Sequence, residues 1–171
     1  MPTMTRSRAE VEGLAVFSDD GRYRYSLSRV WGPGPAIAWV MLNPSTADGS
    51  WDDATLRRIQ AFSRRTTNVT TYGRLEVVNL FAYRAVDPTE LLATEDPVGP
   101  DNDAHIDRVV RGATTVVAAW GAWAERVATG RAHTVTQRLP RDRTYALGRT
   151  RSGAPRHPLR LAGDTPWQYY R

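Results

Sequence analysis

The sequence predicts an α/β protein: a three-layer α/β/α sandwich around a mainly parallel central sheet of about four strands, with an added N-terminal β-hairpin. Three observations carry this expectation. First, Ala36 to Leu42, Leu75 to Leu80 and Thr114 to Trp120 are strand-length runs of mostly apolar residues, the pattern of strands buried on both faces. Second, segments with apolar residues at helical spacing separate them. Third, Asp20-Gly21 divides two strand-like stretches, and that dipeptide favours the positive backbone angles of a tight hairpin turn. Strands alternating with helices imply parallel pairing and helical crossovers.

The elements follow in chain order. Residues 1–13 read as a disordered arm, and 14–171 as one α/β domain. At this length folding removes roughly 70% of the unfolded surface from water. Val16-Phe17 and Tyr23 to Trp31 form the hairpin strands. Tyr23, Tyr25 and Leu27 alternate there with Arg22, Arg24 and Ser26, a half-buried antiparallel strand. Gly32-Pro33-Gly34-Pro35 breaks it. After the Ala36 strand, Asp52 or Asp53 caps a helix carrying Leu56, Ile59, Gln60, Phe62 and Ser63. Pro88 to Ala93 reads as a short helix. Asn102 to Arg111 is a further helix, with Ile106, Val109 and Val110 on one face. Another helix is expected over Ala122 to Thr129, and a fourth buried strand over Thr144 to Leu147. The remainder, from Gly148 on, is loop-rich.

Composition narrows the chemistry. There is no cysteine, so disulfides, zinc thiolates and cysteine nucleophiles are excluded, and a cytoplasmic home is the expectation. His105, His133 and His157 have no metal-site spacing, and no metal or other cofactor is expected. All 23 basic residues are arginine. Without lysine, no side-chain amine can form a Schiff base. No apolar run approaches the ~18 residues of a membrane span. Met1 to Glu10 has no apolar stretch of the kind a secretory signal carries. From Arg126 to Arg171 ten arginines face only Asp142 and Asp164, while the preceding residues hold 13 arginines and 16 acids. The basic quarter points to phosphate contact or to a solvated surface. Nucleic acid (DNA ahead of RNA) or a nucleotide is the expected partner, and a monomer the default state.

Open parallel sheets bind ligands outside the carboxyl ends of their strands. Polar segments fall there: Asn43 to Asp48, Asn79 to Arg84, and Trp120-Gly121, with Arg156-His157-Pro158 after the fourth strand. Asn43, followed by Pro44, Ser45 and Thr46, can orient a water or a substrate carbonyl, or can simply initiate a turn. Asp48 lies within this loop and is a candidate base, whereas Asp52 and Asp53 suit helix capping. Asn79 closes a strand. Phe81 and Tyr83 can stack on a base or roof the core. Gly121 permits close backbone approach, with a helix N-terminus offering N–H groups beyond it. His157 can donate to a developing anion, and Arg149, Arg151, Arg156 and Arg160 surround it in sequence.

Met41-Leu42-Asn43-Pro44-Ser45-Thr46-Ala47-Asp48, Asp52-Asp53-Ala54-Thr55, Val78 to Ala85 and Ala119-Trp120-Gly121 together resemble domain-of-unknown-function family 1643 over about residues 22–165. The motif order also resembles, more distantly, the uracil-DNA glycosylase superfamily. That resemblance implies a monofunctional base N-glycosylase. Asn43 would orient water toward the anomeric carbon, with Asp48 as base. Asn79 would read the base, His157 would stabilise the departing base anion, and the basic tail would meet phosphates. Ser45 stands where that superfamily has a glycine, and Leu159 where it has a serine. Two other readings stand beside it: a non-catalytic nucleic-acid or nucleotide-binding module, and a small-molecule enzyme using Asp48, Asp52 and Asp53 with a metal.

Overall fold

The computed structural model describes residues 11–65 and 70–171. Most of the expected arm lies outside the described residues, and its last two positions, Glu12 and Gly13, already belong to a strand. The elements are β1 (Glu12–Phe17), β2 (Arg24–Val30), β3 (Ala36–Met41), α1 (Ala54–Arg64), β4 (Arg74–Asn79), α2 (Asn102–Gly112), β5 (Thr115–Ala118), α3 (Ala124–Val127), α4 (Arg131–Thr136), β6 (Thr144–Ala146) and β7 (Gln168–Tyr169). Pro88–Ala93 and Pro158–Arg160 form 3-10 turns.

The sheet corrects the expected architecture. It is one mixed sheet of seven strands in the order β1-β2-β4-β3-β5-β6-β7, not a mainly parallel sheet of about four. Pairings β4–β3, β3–β5 and β5–β6 are parallel, while β1–β2, β2–β4 and β6–β7 are antiparallel. The hairpin does not stand apart. Its second strand completes the backbone hydrogen bonding of β4, with Leu27 level with Val77, which leaves no bare edge there. At the other side β7 pairs with β6, and the Tyr169 ring stacks on Tyr145 at 4.6 Å. The helical cover is also thinner than a sandwich layer. Among the described residues only α1 and α2 reach 11 residues. The helix expected over Ala122 to Thr129 is the four-residue α3, which ends where Ala128 turns extended, and Gly130 at φ +79° leads the chain into α4.

Local chemistry explains the surviving elements. Gly21 adopts φ +71° at the hairpin turn, where a side chain is disfavoured. Every residue of β3 is buried. Asp53 caps α1 by accepting the Leu56 N–H at 2.7 Å, and Leu56, Ile59 and Phe62 turn inward. They pack with Ile37, Trp39, Val77 and Val117 in one core cluster. Ala38, Val40, Val78 and Val116 pack with Ile106 and Val109 of α2 in the other. Each fully buried aliphatic or aromatic side chain contributes roughly 1.5–3 kcal/mol. Trp39 satisfies its indole N–H on the Ser63 hydroxyl at 2.9 Å.

Two features of this fold position the site. The register sets Met41 level with Asn79, and Val40 level with Ala118, so β3, β4 and β5 end together. The second is a bulge in β2: Val16 pairs with Ser26 and Phe17 with Arg24, so Tyr25 is skipped. A bulge turns the following side chain to the opposite face. At the C-terminal end, Arg58 and Arg65 donate to the carbonyls of Leu161 and Gly163, tying the last segment to the α1 region.

Candidate functional site

A cavity of about 630 Å³ opens beyond the ends of β3, β4 and β5. That volume lies in the range of small-molecule sites, roughly 300–1,000 Å³. Four expected segments converge on it: Asn43 and Ser45, Asn79, Trp120 and Gly121, and His157 with Arg160. Arg24, Asp53 and Trp123 complete its polar and aromatic lining.

Asn43 is held hard. Its Nδ2 donates to the carbonyls of Pro44 at 2.9 Å and Ala85 at 2.8 Å, and the Ala85 N–H donates back to the Pro44 carbonyl at 3.0 Å. The amide nitrogen therefore splices the loop after β3 to the loop after β4. Among the described residues no donor meets Oδ1. Asp48 is not part of the lining. Its Oδ1 accepts from the Ser50 N–H at 2.8 Å, the Ser50 hydroxyl at 3.1 Å and the Trp51 N–H at 2.7 Å, an Asx turn. Those backbone N–H groups hold its carboxyl below the usual range. Asp52 pairs with Arg29 at 2.7 Å and accepts from Gln60 at 2.6 Å. Among the described residues no group of three or more His, Asp or Glu is placed to hold a metal ion. The three aspartates therefore do not form the metal cluster their spacing allows. Asp53 is the one of the three that lines the cavity.

Asn79 is 1% exposed, and among the described residues neither its Oδ1 nor its Nδ2 has a hydrogen-bond partner. An unmade hydrogen bond at a buried polar group costs about 1–3 kcal/mol, so a doubly unpaired amide facing a cavity is poised for a ligand that supplies a donor and an acceptor. Arg24 is 5% exposed. One guanidinium nitrogen donates to the Ala47 carbonyl, and Nε has no partner. The alternation of Tyr23, Tyr25 and Leu27 with Arg22, Arg24 and Ser26 sets Arg24 opposite Leu27. The bulge instead places both on the cavity wall. Sequence reasoning missed this residue because a bulge depends on the partner strand.

His157 caps the 3-10 turn at Pro158–Arg160, its Nδ1 accepting the Leu159 N–H at 3.3 Å. Burial pushes the imidazole below its ordinary pKa, opposed by the charge of Asp53. The neutral ring thus carries its proton on Nε2 and is a donor. Gly121 has φ +74°, and His157 Cβ is the nearest contact a side chain there would meet, at 3.6 Å. Its N–H donates to the Pro155 carbonyl at 2.9 Å and is not free for an anion. Trp123 offers an aromatic wall, whereas the Trp120 side chain is buried in the core cluster with Val40 and Val116. The Trp120 ring packs edge-on against Tyr170 at 5.6 Å, and Arg126 lies over Trp123 at 4.2 Å. Trp123, two residues past the glycine, was the aromatic signal left unused.

Other expected residues lie elsewhere. Phe81 is fully buried in the core. Pro44 is buried behind the rim, and its carbonyl accepts from Asn43. Tyr83 and Thr46 line an adjoining groove with Arg22 and Arg84, which shares Ser45, Ala85 and Val86 with the cavity. Arg149 stacks over Tyr170 at 4.5 Å and donates to the carbonyls of Gly153 and Arg171. Arg151 and Arg156 are exposed away from the cavity lining. Among the described residues no helix is long and apolar enough to cross a membrane.

Fold and cavity together define a mixed-sheet protein with a ligand-sized cavity at its parallel strand ends. The chain belongs to the family described as a protein of unknown function, DUF1643, whose model matches residues 24–159. No curated protein and no solved structure matches it, and the resemblance to uracil-DNA glycosylases is not confirmed by these comparisons.

Proposed function

We propose that this protein binds a nucleobase in the cavity and hydrolyses its N-glycosidic bond. The observation that carries the reading is Asn79. An amide with both polar atoms buried and unpaired on a cavity wall matches the adjacent donor and acceptor of a base edge. Trp123 adds aromatic surface to the same space.

The remaining groups suit the chemistry. Asn43 Oδ1 accepts a hydrogen bond from the attacking water. Asp53, rather than Asp48, is the carboxylate within the cavity lining. Its Oδ1 accepts the α1 cap bond and Oδ2 takes the water proton. The water oxygen bonds to the anomeric carbon, the carbon–nitrogen bond breaks, and its electron pair leaves with the base. The neutral His157 donates from Nε2 to that anion. The base arrives in a nucleotide or a DNA strand; Arg160 lies at the cavity, and the flanking phosphates of a strand reach the exposed Arg151 and Arg156 beyond it.

The test is base release from nucleosides, nucleotides, and single- and double-stranded oligonucleotides carrying uracil, mismatched thymine, hypoxanthine and modified pyrimidines. Expected is free base from at least one substrate, with strand scission only after alkali where DNA is cut. Asn79→Ala and His157→Ala should reduce the rate a hundredfold or more, in line with the roughly 10²–10³ lost with a single transition-state donor. Salt-sensitive binding of the same substrates without release would leave a binding module and overturn the hydrolytic step.

A further inference from the structure

The polar inventory of the cavity leaves Arg24 unexplained by base recognition alone. It is a buried cation on a strand, and among the described residues it has no ion-pair partner. Among the described residues one of its nitrogens makes a hydrogen bond, and Nε is buried without one. Burial lowers its pKa to about 10, which leaves it charged at neutral pH. The strongest charge acting on it is that of Asp53, followed by Arg84 and Arg29. Asp53 is capping α1 and does not approach to ion-pair distance. Burying a guanidinium is costly unless an anion meets it, and its planar fork fits two oxygens of a carboxylate or phosphate.

Resting on the nucleobase reading, we propose that the ligand of this cavity carries an oxyanion held by Arg24 while Asn79 takes the amide edge of the heterocycle. The oxyanion is either a carboxylate on the ring or the phosphate of the attached sugar. Two independent features meet here. Arg24 and Asn79 are each more than nine-tenths buried, each has unpaired polar atoms, and both line the same cavity from adjacent strands. A neutral base satisfies Asn79 and leaves Arg24 unpaired.

Isothermal titration calorimetry on the whole protein at neutral pH and low salt tests this. The probes are uracil, 5- and 6-carboxyuracil, uridine, uridine monophosphate, benzoate and inorganic phosphate. Expected is at least tenfold tighter binding of one carboxylated base than of uracil, or of the monophosphate than of uridine. Which pair shows the gap tells ring carboxylate from sugar phosphate. Arg24→Gln should close that gap. The comparison within the unmodified protein stands even if this variant folds poorly. Equal affinity for neutral and anionic partners would overturn the inference and keep the base site. Benzoate or phosphate binding that Arg24→Gln abolishes, with no base bound, would support the anion site and remove the base reading. No binding by any probe would overturn both.

Discussion

Arg24 and Arg29 lie five residues apart on β2, 5% and 3% exposed, and their surroundings differ completely. Arg29 donates to Asp52 through Nε and Nη2 at 2.9 and 2.7 Å, and to the carbonyls of Ser28, Asp48 and Trp51. Among the described residues the Arg24 guanidinium bonds to the Ala47 carbonyl alone. The asparagines at the ends of β3 and β4 repeat the contrast. Asn43 spends its amide nitrogen on two carbonyls, while the Asn79 side-chain amide has no partner among the described residues. Each pair divides into a residue that holds the loops and a residue left open to the cavity. Proteins keep unpaired buried polar groups where a ligand needs them, at a cost in stability.

That division is sharpest in stability measurements. Arg29→Ala leaves the Asp52 carboxylate and several loop carbonyls without their cation, and should cost about 3–5 kcal/mol in urea unfolding. A cost near that of a surface substitution would remove the contrast with Arg24. Asn43→Ala loses two hydrogen bonds that splice the loops, so about 1–2 kcal/mol is expected. If stability were unchanged and only turnover fell, Asn43 would belong with the open residues instead.

The pH dependence tests His157. Its pKa is lowered in the folded protein, so the unfolded chain takes up a proton first on acidification. Stability should hold above the ordinary histidine value of 6.5 and fall as pH drops toward the lowered one. His157→Gln should flatten that part of the curve. His105, lowered chiefly by burial, contributes in the same direction and remains in the variant. An unchanged slope would mean that the ring is solvated and not held neutral beside the cavity.

The open residues should show the smallest stability effects. Arg24→Met and Asn79→Leu remove unpaired polar groups and should stay within about 1 kcal/mol of the parent, or exceed it, while ligand binding is lost. A large destabilisation of either would show that the group supports the fold after all. Arg151→Ala, exposed on a loop, should move stability by less than about 0.5 kcal/mol. Its readout is the salt dependence of oligonucleotide binding.

Much of the chain was legible in its residues. The hairpin turn at Asp20-Gly21, an aspartate cap at Asp52 or Asp53, the inward faces of α1 and α2, and the strands ending at Asn79 and near Asn43 all follow from local pattern. Convergence of Asn43, Asn79, Trp120 and His157 on one rim followed from strand direction. The whole architecture did not. Mixed pairing at both edges joins β2 to β4 and β7 to β6, contacts between segments about 50 and 24 residues apart. The two-residue strand β7 carries no pattern of its own.

The sequence by itself determined the turns, caps, buried strand segments and the absence of cysteine and lysine chemistry, because periodicity and backbone preference are local properties. Only the tertiary structure decided which polar groups are satisfied. Asp48 is absorbed by its own turn, Asn43 by the Ala85 carbonyl, and Arg29 by Asp52. Arg24 faces the cavity because pairing with β1 inserts a bulge at Tyr25. Hydrogen bonding is settled by atoms distant in sequence that meet within about 3 Å, and residue spacing along the chain does not encode that meeting.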